Sequence, residues 1–145
     1  MFLKCNNVAN NFMINLLKNK KISKTPFRKE VLAIFNKYNN AIPLSVVEKE
    51  LKAFNRITLY RTIKVFLEKG IIHEITINGE VSNYAICKEE CDTLGHHHQH
   101  IHFKCTSCGI IFCVEVDKFP TIILPKYKIE QLEIQAIGLC ENCNV

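Results

Sequence analysis

The chain has 145 residues, 48% of them hydrophobic, with only 5 Gly and 4 Pro, a composition that excludes a disordered or fibrous chain and allows one ordinary domain or two small ones. No apolar run reaches membrane-span length, and Met1-Phe2-Leu3-Lys4 is not followed by the long core of an export signal, so a cytoplasmic location away from membranes is expected. The net charge of +5 is split: residues 1–85 hold 14 Lys+Arg against 6 Asp+Glu, and residues 86–145 hold 5 against 8, which sets a basic half suited to a polyanion beside a mildly acidic one.

The first expected helix covers 8–17, where Val8, Phe12 and Leu16 fall at near-helical spacing, and it ends in Lys18, Lys20 and Lys21. Thr25-Pro26 reads as an N-cap followed by proline at the first helical position, and Phe27, Val31, Ile34 and Phe35 then make one apolar face. Ser45-Val46-Val47-Glu48 has the form of a capping box, opening a short helix with Val47, Leu51 and Phe54 turned inward. A fourth helix over 57–69 stops at Gly70, with Leu59, Ile63 and Phe66 as its buried stripe and Arg61, Lys64 and Glu68 on the other side. Two β-rich runs, 71–77 and 81–86, meet at Asn78-Gly79, a strong hairpin signal. Four helices and a hairpin in this order describe a winged helix-turn-helix, in which the second helix of the motif enters the major groove.

From Cys87 to Gly95 the pattern breaks into a linker, dividing the chain into 1–87 and 88–145. Beyond it 101–104, 110–116 and 128–138 look like strands, the last with Ile129, Leu132, Ile134 and Ala136 in imperfect alternation. Phe119-Pro120 and Leu124-Pro125 bracket room for one helical turn. The fold class expected is α+β: a winged-helix domain followed by a small α/β domain.

The chemistry concentrates in that second part. Cys105-Thr-Ser-Cys108 and Cys140-Glu-Asn-Cys143 offer four thiolates, the ligand set of a tetrahedral structural zinc, and a zinc would anchor the C-terminal strand. A thioredoxin-type role fits poorly, because neither pair sits at a strand-to-helix turn of a βαβ unit. Just upstream runs His96-His97-His98-Gln99-His100-Ile101-His102. One reading makes these solvated imidazoles. The other notes that His100 and His102 share one face of an expected strand, with Cys87, Cys113 and His73 as further candidate ligands at the same junction. Two histidines and a cysteine suit zinc, while Glu115 and Asp117 leave iron or manganese open. No nucleophile–base pair and no phosphate-binding glycine loop is visible, so no enzymatic activity is expected.

Three segments resemble the ferric uptake regulator superfamily. Thr58-Leu59-Tyr60-Arg61-Thr62 is similar to its recognition-helix motif; His100-x-His102-x-x-Cys105-x-x-Cys108-Gly109 and Gly138-Leu139-Cys140-x-x-Cys143 are similar to its metal-binding segments; Thr25-Pro26-x-Arg28 matches its early helix. The resemblance covers roughly residues 15–144. It implies a metal-controlled homodimeric repressor of metal-homeostasis genes that binds a double-stranded DNA operator and no small molecule other than the metal ion. It makes Cys105, Cys108, Cys140 and Cys143 the structural zinc ligands. It carries the regulatory site onto His73, Cys87, His100 and His102, with Cys113 and His98 as additional candidates. DNA contacts are expected from Arg28, Arg56, Thr58, Tyr60, Arg61 and Lys64, with Lys20 and Lys21 on phosphates. Cys5, Cys91, His96 and His97 receive no role.

The chain departs from the pattern in five places. Tyr84-Ala85 lacks the carboxylate of many iron-sensing members, and Cys87 stands close by, as in zinc-sensing ones. Cys113 takes the place of an acidic ligand. Asn40 or Ala41 replaces a histidine before the third helix. Gln99 and Ile101 occupy the His and Asp positions of a third metal site. Residues 88–96 look inserted. These changes favour zinc at the regulatory site over iron or manganese, with an iron- or peroxide-responsive regulator as the alternative and a metal buffer without DNA binding behind it.

Overall fold

A computed structural model of the protein describes residues 13–87 and 100–145. Cys5, Val8, Phe12, Cys91, the linker over 88–95 and His96, His97, His98 and Gln99 lie outside them.

The first helix, α1, is seen over residues 13–19 and buries Leu17 completely. It closes with Ile22 N–H donating to the Leu17 carbonyl at 3.0 Å and Lys21 N–H to that of Lys18 at 3.0 Å, the paired bonds of a Schellman cap. Lys21 takes the left-handed position at φ 55°, one that glycine usually fills. Helix α2 (Pro26–Lys37) starts as expected: the Thr25 hydroxyl accepts from Arg28 N–H at 3.3 Å, Pro26 occupies the first turn, and Val31, Leu32, Ile34 and Phe35 face inward. Helix α3 (Leu44–Glu50) corrects the capping-box expectation. Its N-cap is Pro43, with no side-chain cap, and the Pro43 carbonyl accepts from Val46 N–H at 3.1 Å. The fixed proline φ starts the helix early enough to put Ser45 inside it.

Helix α4 (Arg56–Glu68) buries Leu59, Thr62, Ile63 and Phe66. Thr62 joins the three residues read from periodicity. Gly70 at φ 67° ends the helix, with Ile71 N–H reaching the Phe66 carbonyl at 2.8 Å. Strands β1 (Ile72–Ile75) and β2 (Asn83–Ile86) pair antiparallel from Ile72↔Ile86 to Ile75↔Asn83. Asn78 and Gly79 both lie at positive φ, 54° and 71°, and Glu80 N–H closes the turn onto Ile77 at 3.1 Å. The ladder stops short of that turn, so the wing tip is a seven-residue loop over 76–82.

Beyond residue 100, β3 (His100–Cys105) is the centre of a three-stranded sheet ordered β4-β3-β5, with β4 (Ile111–Glu115) antiparallel to it and β5 (Ile134–Gly138) parallel. The strand expected over 128–138 is therefore shorter at its start. β5 pairs with β3 only from Ile101↔Ile134 to Cys105↔Gly138. The helical turn expected between Phe119-Pro120 and Leu124-Pro125 does not form. Two prolines five residues apart remove donors from so short a span, and Lys126 at φ 68° turns the chain instead. Among the described residues after 100 there is no helix.

The main core runs through Leu17, Val31, Leu32, Val47, Leu59, Phe66, Ile71 and Ile72. A second, smaller cluster of Ala41, Ile75, Ile77 and Ile111 joins the wing to the β3–β5 sheet. Polar contacts reinforce it. Ala41 N–H donates to the Ile111 carbonyl at 2.9 Å, Ile42 and Tyr84 exchange backbone bonds at 2.9 and 2.8 Å, Gln135 Nε2 donates to the Thr76 carbonyl at 2.9 Å, and Lys104 pairs with Glu80. Ala41, near where the resemblance expects a histidine, thus acts through its backbone.

Candidate metal centres and nucleic-acid face

The four cysteines of the two knuckles come together. Cys105 closes β3, and the chain turns through 106–108 to Gly109 at φ 74° before entering β4. Cys140 follows β5, and Cys143 N–H folds back onto its carbonyl at 2.9 Å. Thr106 N–H donates to the Gly138 carbonyl at 2.7 Å and ties the two turns. The four sulfurs lie within 4.8 Å of one another, with Cys108 and Cys140 at 3.9 Å. A zinc–sulfur tetrahedron has an edge of about 3.8 Å, so the donor set fits zinc.

Electrostatics agree with a cation-dependent site. The backbone N–H groups of Cys108 and Cys140 hold the Cys105 thiol down to about 6. Ser107 pulls Cys143 down too, but Cys140, burial, Cys105 and Cys108 outweigh it and hold that thiol up at about 11. One thiolate forms readily, and its neighbours resist a second negative charge unless a dication neutralises it.

A second cluster forms at the seam between wing and sheet. His73 of β1, His100 and His102 of β3 and Cys113 of β4 bring their donor atoms within 4.8 Å of one another. His100 Nε2 and His102 Nε2 are 2.9 Å apart, and Cys113 Sγ is 3.3 Å from His73 Nε2. The alternation of β3 puts both of its imidazoles on one side, and the register His102↔Cys113 delivers the thiol. His73 and His102 are only 4% and 8% exposed. Burial pushes the His102 imidazole below its ordinary value and so favours the neutral, ligating form, with the Glu133 carboxylate a smaller opposing influence. Three imidazoles and one thiol fit a borderline metal such as zinc; among the described residues no carboxylate belongs to the cluster.

Cys87 is close but does not join these four. It is buried, and its Sγ lies 3.4 Å from His73 Nδ1, on the other nitrogen of the ring. His98 lies outside the described residues. The cluster opens on a cavity of about 250 Å³ lined by Leu67, Glu74, Gln131, Leu132 and Glu133 as well as its own histidines. Gln131 and Glu133 were not foreseeable at this cavity, because nothing in their local pattern links them to residues thirty positions upstream.

The candidate DNA-contacting residues line one face of α4. Arg56, Ile57, Tyr60, Arg61 and Lys64 are exposed at spacings i, i+1, i+4, i+5, i+8, with Thr58 beside them in the first turn. Asn55 caps the helix by accepting from Thr58 N–H at 3.2 Å. Ile57, 62% exposed, was not singled out from sequence, although its i+4 relation to Arg61 marks the same face. Arg56 lies 3.7 Å from Glu48, and Lys64 3.8 Å from Glu68. Arg28 donates to the Ser23 hydroxyl at 2.6 Å, which braces the α1–α2 connection. Lys21 is exposed and Lys20 half-buried at the end of α1.

Comparison with known proteins agrees with this architecture. Residues 19–140 match the model of the ferric uptake regulator family. The ferric uptake regulation protein of Staphylococcus aureus strain N315 is 30% identical over 140 residues, covering 92% of this chain and 96% of that one. That of Staphylococcus epidermidis strain ATCC 12228 is 31% identical over 141 residues, covering 92% and 94%. Among solved structures, a zinc uptake regulator complexed with zinc and DNA superposes with a TM-score of 0.62 at 20% identity, over 94% of this chain and 93% of that one. The Vibrio cholerae ferric uptake regulator gives 0.59 at 19%, over 86% and 96%. The protein is a member of the ferric uptake regulator family of metal-responsive regulators.

Proposed function

We propose that the protein is a zinc-responsive homodimeric repressor that binds a double-stranded operator, with a winged-helix domain over 1–87 and a metal-binding dimerisation domain over 88–145. The observation that carries this reading is the origin of the four seam donors. His73 belongs to the wing, and His100, His102 and Cys113 belong to the sheet. Their convergence on one ion fixes the angle between the two parts. When bound, the metal supplies positive charge and directional bonds; the chain's own residues do the rest. Leu59, Ile63 and Phe66 hold α4 on the core so that Tyr60, Arg61 and Lys64 face outward, and only some inter-domain angles let two such helices enter successive major grooves. The shift in DNA affinity equals the difference in metal affinity between the two arrangements.

Dimerisation is supported by the apolar residues left exposed in the second part, among them Ile122, Ile123, Leu124, Tyr127, Ile137 and Leu139. Zinc is favoured by the thiol of Cys113 in a donor set that, among the described residues, holds no carboxylate. The rival effector is iron, favoured by the names of the Staphylococcus relatives. A metal buffer without DNA binding leaves the exposed basic face of α4 without a purpose. The test is fluorescence anisotropy with duplexes selected from a random pool by the metal-loaded protein. Metal-stripped, zinc-loaded, iron(II)-loaded and manganese(II)-loaded dimers are compared. Zinc alone restoring tight binding at low free metal supports the proposal; restoration only by iron reassigns the effector; no metal dependence refutes it.

A further inference from the structure

The wing meets the sheet at a second place besides the donor cluster. Strand alternation puts His100, His102 and Lys104 on one side of β3, and the register His102↔Gln135 puts Gln135 on that same side. Gln135 Nε2 donates to the Thr76 carbonyl at 2.9 Å, and the Lys104 ammonium, its side chain 20% exposed, pairs with the Glu80 carboxylate. The wing tip is shaped for these contacts. Asn78 and Gly79 turn it back at positive φ, so that Glu80 N–H reaches the Ile77 carbonyl at 3.1 Å, and the Thr76 and Ser82 hydroxyls meet at 3.1 Å. Ile75 and Ile77, both almost fully buried, pack with Ile111 and Ala41. Lys104 lies two residues beyond His102, about 7 Å along the strand. The wing is thus held at its base by the seam donors and at its tip by an amide, an ion pair and a small apolar cluster.

We propose that Lys104 and Gln135 are positioning residues: through Glu80 and Thr76 they hold the wing against the sheet by contacts that need no metal, and so set the DNA affinity from which the metal response starts. This rests on the regulatory-site reading above. The tip contacts exist in the same arrangement that gathers His73 with His100, His102 and Cys113. Whatever stabilises that arrangement raises the affinity for the metal and for a duplex that prefers it, and the coupling is reciprocal. One net hydrogen bond and one partly exposed ion pair together shift such an equilibrium by about 3–30-fold. A protein that occupies its binding-competent arrangement more often binds more tightly in proportion to the occupied fraction. The tip contacts therefore raise DNA binding in the metal-free state and lower the metal concentration needed for the full response. The result is a switch that is more sensitive but spans a narrower range.

Lys104→Met and Gln135→Leu remove the two polar contacts from the sheet side and leave the wing and α4 unaltered. The full-length dimer, with its four-cysteine site filled by zinc, is titrated with the selected duplex twice, once with the seam stripped and once at saturating zinc. Its seam affinity for zinc is measured separately, without DNA, against a competing chelator. The double variant should bind the duplex about 3–30-fold more weakly when stripped, stay within about twofold of the unmodified protein at saturating zinc, and lose seam zinc affinity by the same factor as its metal-free DNA affinity. Removing a cation near the seam would by charge alone tighten zinc, so a fall in zinc affinity has the sign of a lost contact. Lys104→Arg, which keeps the ion pair, should hold both affinities near the unmodified values. Gln135→Leu alone, at an exposed position, carries the test if the lysine variant loses its fold. Unchanged zinc affinity and unchanged metal-free DNA binding overturn the proposal. So does an equal loss of DNA binding in stripped and zinc-loaded protein. A failure of zinc to alter DNA binding by the unmodified protein overturns the regulatory-site reading itself, and this proposal with it.

Discussion

Cys140→Ser is expected to unfold the second half of the chain, and the reason lies in how little else holds it. Among the described residues from 100 onward, only His102, Cys105, Ile111 and Cys140 are buried, and two of these are thiols of the four-cysteine site. Ile111 is the one buried aliphatic side chain, contributing roughly 1.5–3 kcal/mol. Ordering the backbone costs about 1–2 kcal/mol per residue, so this burial cannot hold even the five residues of β5 in place. A structural zinc site contributes about 10–16 kcal/mol, and a three-ligand remnant forfeits much of it. The variant should lose tightly held zinc, run as a monomer in sedimentation, and show fast amide exchange over 134–138, while α2 and α4 stay protected by their own core. A Cys140→Ser protein that keeps its zinc, its dimer and slow exchange in β5 would refute the argument.

The remaining expectations concern DNA and the seam cluster. Arg61→Ala should weaken selected-duplex binding by about 1–3 kcal/mol if the guanidinium reads a base edge, with little change on random DNA; equal loss on both assigns it to phosphate. Lys21→Gly should raise stability by about 1 kcal/mol by relieving the left-handed strain at φ 55°, yet reduce DNA affinity and lower the salt slope by about 1, as read by thermal melts and salt titration. His100→Ala should leave a folded, zinc-containing dimer whose DNA affinity no longer rises with added metal; a wild-type metal titration curve would return the histidines to the role of solvated side chains. Acidification should abolish the metal response. Burial lowers the folded-state value of His102, so with the four-cysteine site zinc-filled and the seam empty its contribution to stability is flat above the ordinary imidazole value of 6.5 and declines as pH falls below it, which melts at pH 7.5 and 5.5 beside a His102→Ala control would detect.

The parts of this molecule legible in its sequence are those decided by neighbours along the chain. Asn78-Gly79 announced the wing because a two-residue turn at φ 54° and 71° suits those residues. Thr25-Pro26 announced α2 for a similarly local reason, and the knuckle spacings announced the four-cysteine site. Ser45 failed because Pro43, two residues earlier, set the helix start. The extent of β5 was hidden because it depends on how much of β3 lies opposite, not on the alternation of Ile129, Leu132 and Ile134. The seam cluster was half legible. His100 and His102 share a face by strand periodicity, whereas the arrival of Cys113 beside them depends on the pairing of β3 with β4, which no pattern along the chain reveals.

Strand β3 is six residues long and carries His100 and His102 at one end and Cys105 at the other. From His102 to Cys105 is about 10 Å of extended chain. The strand is thus a short rod shared by the two centres, with the four-cysteine site at its far end and the seam imidazoles at its start. On the proposed reading, a cell so depleted of zinc that the four-cysteine site empties loses the sensor's mechanical reference before the seam ligands are ever tested, and newly made chains would default to silence. Metal supply would then be read twice along one rod, first as permission to assemble and afterwards as a signal.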